Sequence, residues 1–142
     1  ACKEIKLIND MAKNLGVTCL KPTVCDSIMQ TYEEPFDYVL LDAPCSGLGV
    51  MKHKVDLKYQ FNMKDVEDII VLQKALLGRA SRNVKVGGTL VYSTCTINQN
   101  ENNKQMDEFL KNHPNYEKVY EEQILPNNLG DGFYICKLQR KA

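Results

Sequence analysis

Two cysteines and one aspartate are the residues of this chain whose types and spacing are best suited to chemistry. Cys45 closes the segment Asp42-Ala43-Pro44-Cys45, and Cys95 lies within Ser93-Thr94-Cys95-Thr96. A thiolate can add to an electron-poor carbon, and a neighbouring carboxyl group or second thiol can move the protons that the addition requires. Either cysteine alone could equally be a small buried side chain. The two segments together favour a chemical site.

One known type of reaction could use two thiols in different steps. Carbon 5 of cytosine is too weak a nucleophile to accept a methyl group until a thiolate has added to carbon 6. A carboxyl group such as that of Asp42 could assist this addition by protonating N3 or hydrogen-bonding to it. After methyl transfer, carbon 5 must lose its proton and the thiol must leave. A second cysteine near the first could act in this release as a general acid or base.

Helical and β-rich patterns alternate along the chain and predict an open α/β sheet. The first helix is expected from Ile5 to Leu15, with Gly16 as its C-terminal cap. A short strand is expected over residues 17–20, with an extension to Cys25 that Pro22 interrupts, and it ends at Asp26. The later elements are expected to be a strand over 36–41, a helix over 64–84 that Asn62 caps and Gly87-Gly88 follows, a strand over 89–93, a helix over 101–111, and strands over 116–120 and 133–138.

The strand predicted over residues 36–41 indicates where the site should lie. Its unbroken apolar run, residues 38–41, is typical of a parallel strand that is covered on both faces. Ligands bind at the carboxyl ends of the strands in open α/β sheets. Asp26, Asp42, Cys45 and Cys95 all follow predicted strands, so these four residues are the candidates for the site.

Composition and charge narrow the class of protein. The 142 residues suit one domain, and 18 basic against 18 acidic residues give no net charge, so charge does not identify a partner. Six cysteines without a C-x-x-C pair, and only two histidines, predict reduced thiols in a cytoplasmic protein, with neither a metal site nor a disulfide framework. No apolar run is long enough to predict a membrane span.

Four ordered blocks carry a resemblance to a known family. They are residues 36–49, residues 86–96, Glu101-Asn102 and residues 131–134. In these blocks the chain resembles, essentially from end to end, the RNA cytosine-C5 methyltransferases of the RsmB, Nop2 and NSUN family. Among them it is most similar to the bacterial RsmB branch, which modifies 16S ribosomal RNA.

The resemblance implies a Rossmann-like methyltransferase fold, S-adenosylmethionine as cofactor, and RNA of the ribosomal class as partner. It implies that Cys95 is the nucleophile and that Cys45 aids product release. Asp26 matches the family acid that contacts the adenine of the cofactor. Asp42 matches the acid near both the methyl donor and the target base.

The chain also departs from the family pattern. By alignment it begins just after the second strand, so residues 1–142 are expected to be a single, partial catalytic domain, its C-terminal portion. The first two strands and the Gly-rich cofactor loop are missing from it, and the chain alone is expected to be inactive. Exposed strand edges left by the missing strands could support a dimer. Val55-Asp56 stands where the family usually has Pro-Asp.

Two other functions fit parts of the sequence. A non-catalytic RNA-binding fragment could keep the methyltransferase fold, although retention of both cysteines and both aspartates argues against it. An amino-group methyltransferase would carry an aromatic residue in the block that here reads Ala43-Pro44-Cys45-Ser46. A basic stretch after that block could touch RNA phosphates or be a solvated loop; it comprises Lys52, His53, Lys54, Lys58 and Lys64.

Overall fold

The computed structural model describes residues 2–48 and 63–142 of the chain. Three sequence-based predictions fall outside these residues: the cap at Asn62, the Val55-Asp56 departure, and most of the basic stretch. The chain divides into two compact units, Ala1–Gln30 and Thr31–Ala142. Each unit is described by itself below. That the whole chain forms a single domain stays a prediction.

The first unit begins with helix α1 (Cys2–Asn14). Gly16 has a φ of 70° and donates its amide to the carbonyl of Lys13, while the amide of Val17 bonds to the carbonyl of Ala12. These two bonds form the Schellman cap that a glycine at this position favours, because glycine adopts positive φ without steric cost. The predicted helix and its cap are therefore confirmed.

The strand predicted over residues 17–25 is wrong. The segment is irregular and leads into a turn at residues 27–29. Pro22 has no amide with which to join a ladder. Leu20 and Val24 are 49% and 58% exposed, so the apolar residues that suggested a strand bury little surface here. Asp26 consequently lies in a turn and not at a strand end.

The second unit contains the remaining elements in the predicted order. They are β1 (Phe36–Asp42), α2 (Met63–Arg82), β2 (Val84–Thr94), α3 (Asn103–Asn112), β3 (Tyr116–Ile124) and β4 (Phe133–Arg140). The four strands form one mixed sheet in the order β1-β2-β4-β3. β1 and β2 are parallel, whereas β4 is antiparallel to both β2 and β3. The predicted α/β class is confirmed.

One face of this sheet carries the core. In the antiparallel register, Leu90 and Tyr92 of β2 lie opposite Leu138 and Cys136 of β4, and all four side chains are buried. Helices α2 and α3 pack against the sheet and against each other. They contribute a further set of buried apolar side chains to the same cluster, namely Leu77, Ala80, Met106 and Phe109.

The other face of β1 is exposed, which corrects the prediction that this strand is covered on both faces. Val39 and Leu41 pack against the core, but Tyr38 and Leu40 are 80% and 69% exposed. Successive side chains of a strand point to opposite faces, so an apolar run alone cannot tell one covered face from two. β1 forms one end of the four-stranded sheet. Dimerisation through a strand edge stays a prediction.

β2 begins earlier than predicted and contains a bulge. Val84, expected to end the preceding helix, is the first residue of β2. The β1–β2 register runs from Phe36↔Val84 to Tyr38↔Thr89, so β2 holds three extra residues between these two pairs. Gly87 and Gly88 lie in this bulge, and Gly87 has a φ of 82°. The glycine pair therefore shapes the strand rather than closing the helix.

Gly88 allows two backbone segments to approach closely, which generates a stability prediction. A Cβ added at Gly88 would lie 2.8 Å from the carbonyl oxygens of Asp37 and Lys85 and 2.9 Å from Val84 Cγ1. We expect Gly88→Ala to lower the free energy of unfolding by about 1–3 kcal/mol, because backbone must shift to relieve the overlap. Urea denaturation followed by circular dichroism measures this change.

Gly78→Ala is the matched control. A Cβ at Gly78, within α2, meets nothing within 4 Å. This substitution should raise the free energy of unfolding by about 0.5–1 kcal/mol, since alanine loses less backbone entropy than glycine in a helix. Equal denaturation midpoints for the two variants would contradict the assignment of a close approach at Gly88.

Candidate active site

The two candidate thiols lie together at one end of the sheet. Cys45 follows β1 and Cys95 directly follows β2, and their sulfur atoms are 3.1 Å apart. Asp42, the last residue of β1, is paired with Ser93 of β2 in the parallel register. Because parallel strands end at the same edge, this pairing brings both loops to one place. The sequence-based expectation that the fold brings the two cysteines together agrees with this geometry.

The thiol of Cys45 is held in its neutral form. The pKa of Cys45 is raised from an ordinary 9.0 to about 11. Burial is the main cause, and the hydrogen bond with the Cys95 side chain acts in the same direction. Burial acts in this direction because it disfavours the charged thiolate. At neutral pH, Cys45 therefore keeps its proton and is poorly suited to attacking as a nucleophile.

Asp42 is oriented by a neighbouring strand. The hydroxyl of Ser93, which is buried, donates to Asp42 Oδ1 at 2.9 Å. The ladder continues one residue further, since the amide of Ala43 donates to the carbonyl of Ser93 at 2.9 Å. The residue Asp42 itself is exposed. Its carboxylate is thus fixed on one oxygen at the mouth of the site, where a ligand could reach it.

A buried carboxylate lies behind the thiols. Glu101 is 0% exposed, and its Oε1 accepts the amide of Ser46 at 2.8 Å while its Oε2 accepts the Ser46 hydroxyl at 2.7 Å. Thr96 Oγ1 donates to Oε2 at 3.3 Å, and Gln73 Nε2 donates to Oε1 at 3.2 Å. Gln73 also donates to the carbonyl of Pro44 at 2.9 Å. Glu101 therefore contacts the residue that follows each cysteine.

Asn102 also stabilises the loop that contains Cys95. Its Oδ1 accepts the hydroxyl of Thr94 at 2.6 Å, and its Nδ2 donates to the carbonyl of Thr96 at 2.9 Å. The same Nδ2 donates to Gln123 Oε1 at 2.6 Å. Cys95 thus stands between two residues, Thr94 and Thr96, that are both hydrogen-bonded to one buried amide side chain.

The structure also describes Asp26 and three further cysteines. Asp26 belongs to the first unit, where its Oδ1 accepts the amide of Ile28 at 2.9 Å and closes a turn. Cys136 is buried in β4, and Cys19 and Cys25 are exposed. Among residues 2–48 and 63–142, no group of three or more histidine, cysteine or acidic side chains could hold a metal ion.

The sequence interpretation missed the residues that support the thiols. Glu101 and Asn102 were part of the family blocks, but no role was assigned to them, and Gln73 was not singled out at all. The signal available for Glu101 was its place, with Asn102, in one of the four blocks that carry the family resemblance. Nothing in the sequence points to Gln73, whose contacts arise only when α2 packs beneath the loop of Cys45.

Comparisons with known proteins identify the family to which the chain is similar. The family model for the 16S rRNA methyltransferases RsmB/F matches residues 3–139. The chain is 37% identical, over 98% of its length, to a Bacillus subtilis (strain 168) protein named "Probable ribosomal RNA small subunit methyltransferase B". It is 40% identical, over 72% of its length, to the protein named "Ribosomal RNA small subunit methyltransferase B" from Pectobacterium atrosepticum. It covers 36% and 26% of those two relatives.

Solved structures show the same fold. NSun6 from Pyrococcus horikoshii, crystallised with SFG, superposes with a TM-score of 0.87 at 25% identity, over all of this chain and 40% of that one. A methyltransferase homologue, also from Pyrococcus horikoshii, gives a TM-score of 0.79 at 26% identity, over 99% of this chain and 51% of that one.

The mixed sheet and the paired strand-end loops are those of the Rossmann-like, S-adenosylmethionine-dependent methyltransferase class. Within that class, the chain belongs to the RsmB/F family of 16S rRNA methyltransferases. It spans only about a third of the length of the Bacillus subtilis relative. Among the residues that the structure describes, no helix is long and apolar enough to cross a membrane.

The raised pKa of Cys45 predicts how this thiol reacts with an alkylating reagent. In the folded protein, the rate of Cys45 modification by iodoacetamide should keep rising with pH until about pH 11, because only the thiolate reacts. Short pulses of reagent followed by peptide mass spectrometry measure the rate at each pH. In urea, where burial is lost, the profile should level off near the ordinary value of 9.0. A folded-state profile that levels off at or below pH 9 would contradict the prediction.

Proposed function

We propose that this chain forms part of an enzyme that transfers a methyl group from S-adenosylmethionine to carbon 5 of a cytosine in RNA, with 16S ribosomal RNA as the substrate class. The observation that carries the proposal is the 3.1 Å approach of two thiols at the ends of neighbouring parallel strands. Membership of the RsmB/F family supports the reaction and the substrate class. The site residues are Cys95, Cys45 and Asp42 in catalysis, and Asp26 and Asp42 toward the cofactor.

The two thiols have different tasks in this proposal. The family resemblance gives the attack to Cys95, and the neutral state of Cys45 at physiological pH supports the same division. A thiolate of Cys95 adds to carbon 6, and the electron pair of the 5,6 double bond moves into the ring. Asp42, at the mouth of the site, protonates N3 or hydrogen-bonds to it and so stabilises the adduct. Carbon 5 becomes nucleophilic and can take the methyl group that bound S-adenosylmethionine would supply, as the bond between that methyl group and the cofactor's sulfur would break.

Release requires two protons to move. Carbon 5 loses its proton, the bond between carbon 6 and the sulfur of Cys95 breaks, and the 5,6 double bond is restored. Cys45 donates its proton to the departing sulfur, and the resulting Cys45 thiolate takes the proton from carbon 5. Both thiols are neutral after release, and Cys95 loses one proton to solvent before the next attack. The short distance between the sulfurs makes this exchange direct.

The residues present fit the proposed cofactor. S-adenosylmethionine, when bound, supplies the electrophilic methyl group. Asp42 offers an exposed carboxylate at the carboxyl end of β1, which is where nucleotide-like ligands bind in open α/β sheets. Asp26 offers a second exposed acid, the one that the family resemblance directs to the adenine.

Covalent capture tests the proposal. Because the chain alone is expected to be inactive, the assay uses the chain extended by the first two strands and the Gly-rich loop of a family member. RNA that contains 5-fluorocytidine, incubated with this extended protein and S-adenosylmethionine, should form an adduct that survives denaturing electrophoresis, because fluorine cannot leave carbon 5 as a proton does. Cys95→Ala should abolish this adduct. With ordinary cytidine RNA, Cys45→Ala should accumulate an adduct that the parent protein releases. Omitting the cofactor is the matched control for release.

Each other outcome has a definite meaning. An adduct that is lost with Cys45→Ala and kept with Cys95→Ala reverses the roles of the two thiols. RNA binding without an adduct in the parent protein, measured by filter retention, supports the alternative of a non-catalytic RNA-binding fragment and refutes the catalytic proposal for this chain.

A further inference from the structure

One buried acid has no place in the reaction above, yet it contacts both catalytic loops. Glu101 accepts hydrogen bonds from Ser46 and Thr96, which directly follow Cys45 and Cys95 in the sequence. The hydroxyls of Ser46 and Thr96 also lie 2.9 Å from each other. One carboxylate therefore joins the two loops immediately behind the thiols.

The surroundings of Glu101 make this link specific. Among the described residues, Glu101 takes part in no ion pair, and its partners are neutral amide, hydroxyl and side-chain amide donors. A buried carboxylate without a cation is costly unless each oxygen is hydrogen-bonded. Both carboxylate oxygens are hydrogen-bonded only when the loop of Cys45 and the loop of Cys95 are in place together. The position of one loop therefore depends on the position of the other.

Two further contacts fix Glu101 itself. The hydroxyl of Tyr92, fully buried in β2, donates to the backbone carbonyl of Glu101 at 2.7 Å. Gln73 bridges Glu101 Oε1 and the carbonyl of Pro44, the residue that precedes Cys45. The carboxylate is thus anchored to the core of the sheet and to α2, and it presents a rigid surface to the two loops.

We propose that Glu101 is a positioning residue that fixes Cys45 against Cys95 and so controls how fast the covalent intermediate is released. The proposed effect of Glu101 on the distance between the two sulfur atoms rests only on the hydrogen bonds described above. Its effect on release rests on the proposed function, in which Cys45 passes a proton to the sulfur of Cys95. Of the two thiols, only Cys95 takes part in the attack on carbon 6, so the attack depends less on the distance between the two sulfur atoms.

Two conservative variants separate positioning from mere burial. Glutamine has the length of glutamate, and its amide can accept from the Ser46 backbone while its NH₂ donates to the hydroxyl oxygens, so Glu101→Gln should keep the loops in place. Glu101→Asp keeps the charge but is one methylene shorter, so it cannot reach both loops. Tyr116→Phe is the control, because it removes a buried hydrogen bond to Ser81 elsewhere in the core.

The spacing of the thiols can be measured without RNA or cofactor. Dilute hydrogen peroxide oxidises two thiols to a disulfide and is itself reduced to two molecules of water, and mass spectrometry follows the loss of two hydrogens. The background carries three substitutions that remove other cysteines: Cys2→Ser, Cys19→Ser and Cys25→Ser. Glu101→Asp should slow formation of the Cys45–Cys95 disulfide by about tenfold or more, since small displacements strongly reduce the rate of an intramolecular reaction.

The same oxidation should proceed within about threefold of the parent rate in Glu101→Gln and Tyr116→Phe, because both keep the loops in register. Thermal unfolding followed by circular dichroism establishes that each variant is folded at the assay temperature. If folded Glu101→Asp oxidises at the parent rate, or Glu101→Gln slows as much as Glu101→Asp, the positioning role is wrong.

The effect on release is measured with cytidine RNA, S-adenosylmethionine and the chain extended as in the capture assay. Glu101→Asp should form the adduct at a rate close to that of the parent and release it about tenfold or more slowly, whereas a general loss of folded protein would reduce both rates together. Release at the parent rate would overturn the inference. Absence of any adduct in the parent would refute the proposed function instead, and the disulfide measurement would still decide the role of Glu101.

Discussion

The parallel register between β1 and β2 is the constraint on which the site depends. Asp42 pairs with Ser93, and the loops that carry the two thiols begin within three residues of this pair. A shift of one residue would turn every side chain of β1 to the opposite face. It would expose Val39 and Leu41 and separate Asp42 from Ser93. Burial of the apolar face therefore enforces the same register that the site requires.

The bulge in β2 connects this register to the glycine pair. Three extra residues are accommodated between the first and second pairings of the two strands, and Gly88 lets the backbone of β2 approach the carbonyl of Asp37. Beyond the bulge, the ladder runs without interruption from Tyr38 to Asp42. The irregularity is thus confined to the end of the sheet that lies away from the thiols, and the end that carries them is regular.

The sequence predicted elements well where a periodic apolar pattern coincided with burial. Helix α2 was expected over 64–84 and spans Met63–Arg82, and β4 was expected over 133–138 and spans Phe133–Arg140. The failures have one physical origin, which is that apolar residues do not reveal what covers them. Residues 17–25 resemble a strand but form none. Tyr38 and Leu40 resemble core residues but are exposed.

The sequence predicted the reactive residues of the candidate site but not the residues that support them. The two thiols and Asp42 could be found because their residue types are themselves reactive, and the order of strands then implied their proximity. The supporting residues could not be found in this way, since hydrogen-bonding side chains such as Gln73 occur throughout any sequence. Their role depends on which of them the packing buries. In this chain most of the buried polar residues, such as Ser46, Thr96 and Glu101, gather behind the reactive ones, and each has a hydrogen-bond partner among the described residues.

The same packing determines the state of Cys45. Burial of the loop after β1, which Glu101 and Gln73 hold in place, raises the pKa of Cys45 and keeps its thiol neutral. A neutral thiol competes poorly for an electrophilic carbon. In the proposed reaction, the buried carboxylate that joins the two loops matters because it keeps the two sulfur atoms close enough for a proton to pass between them.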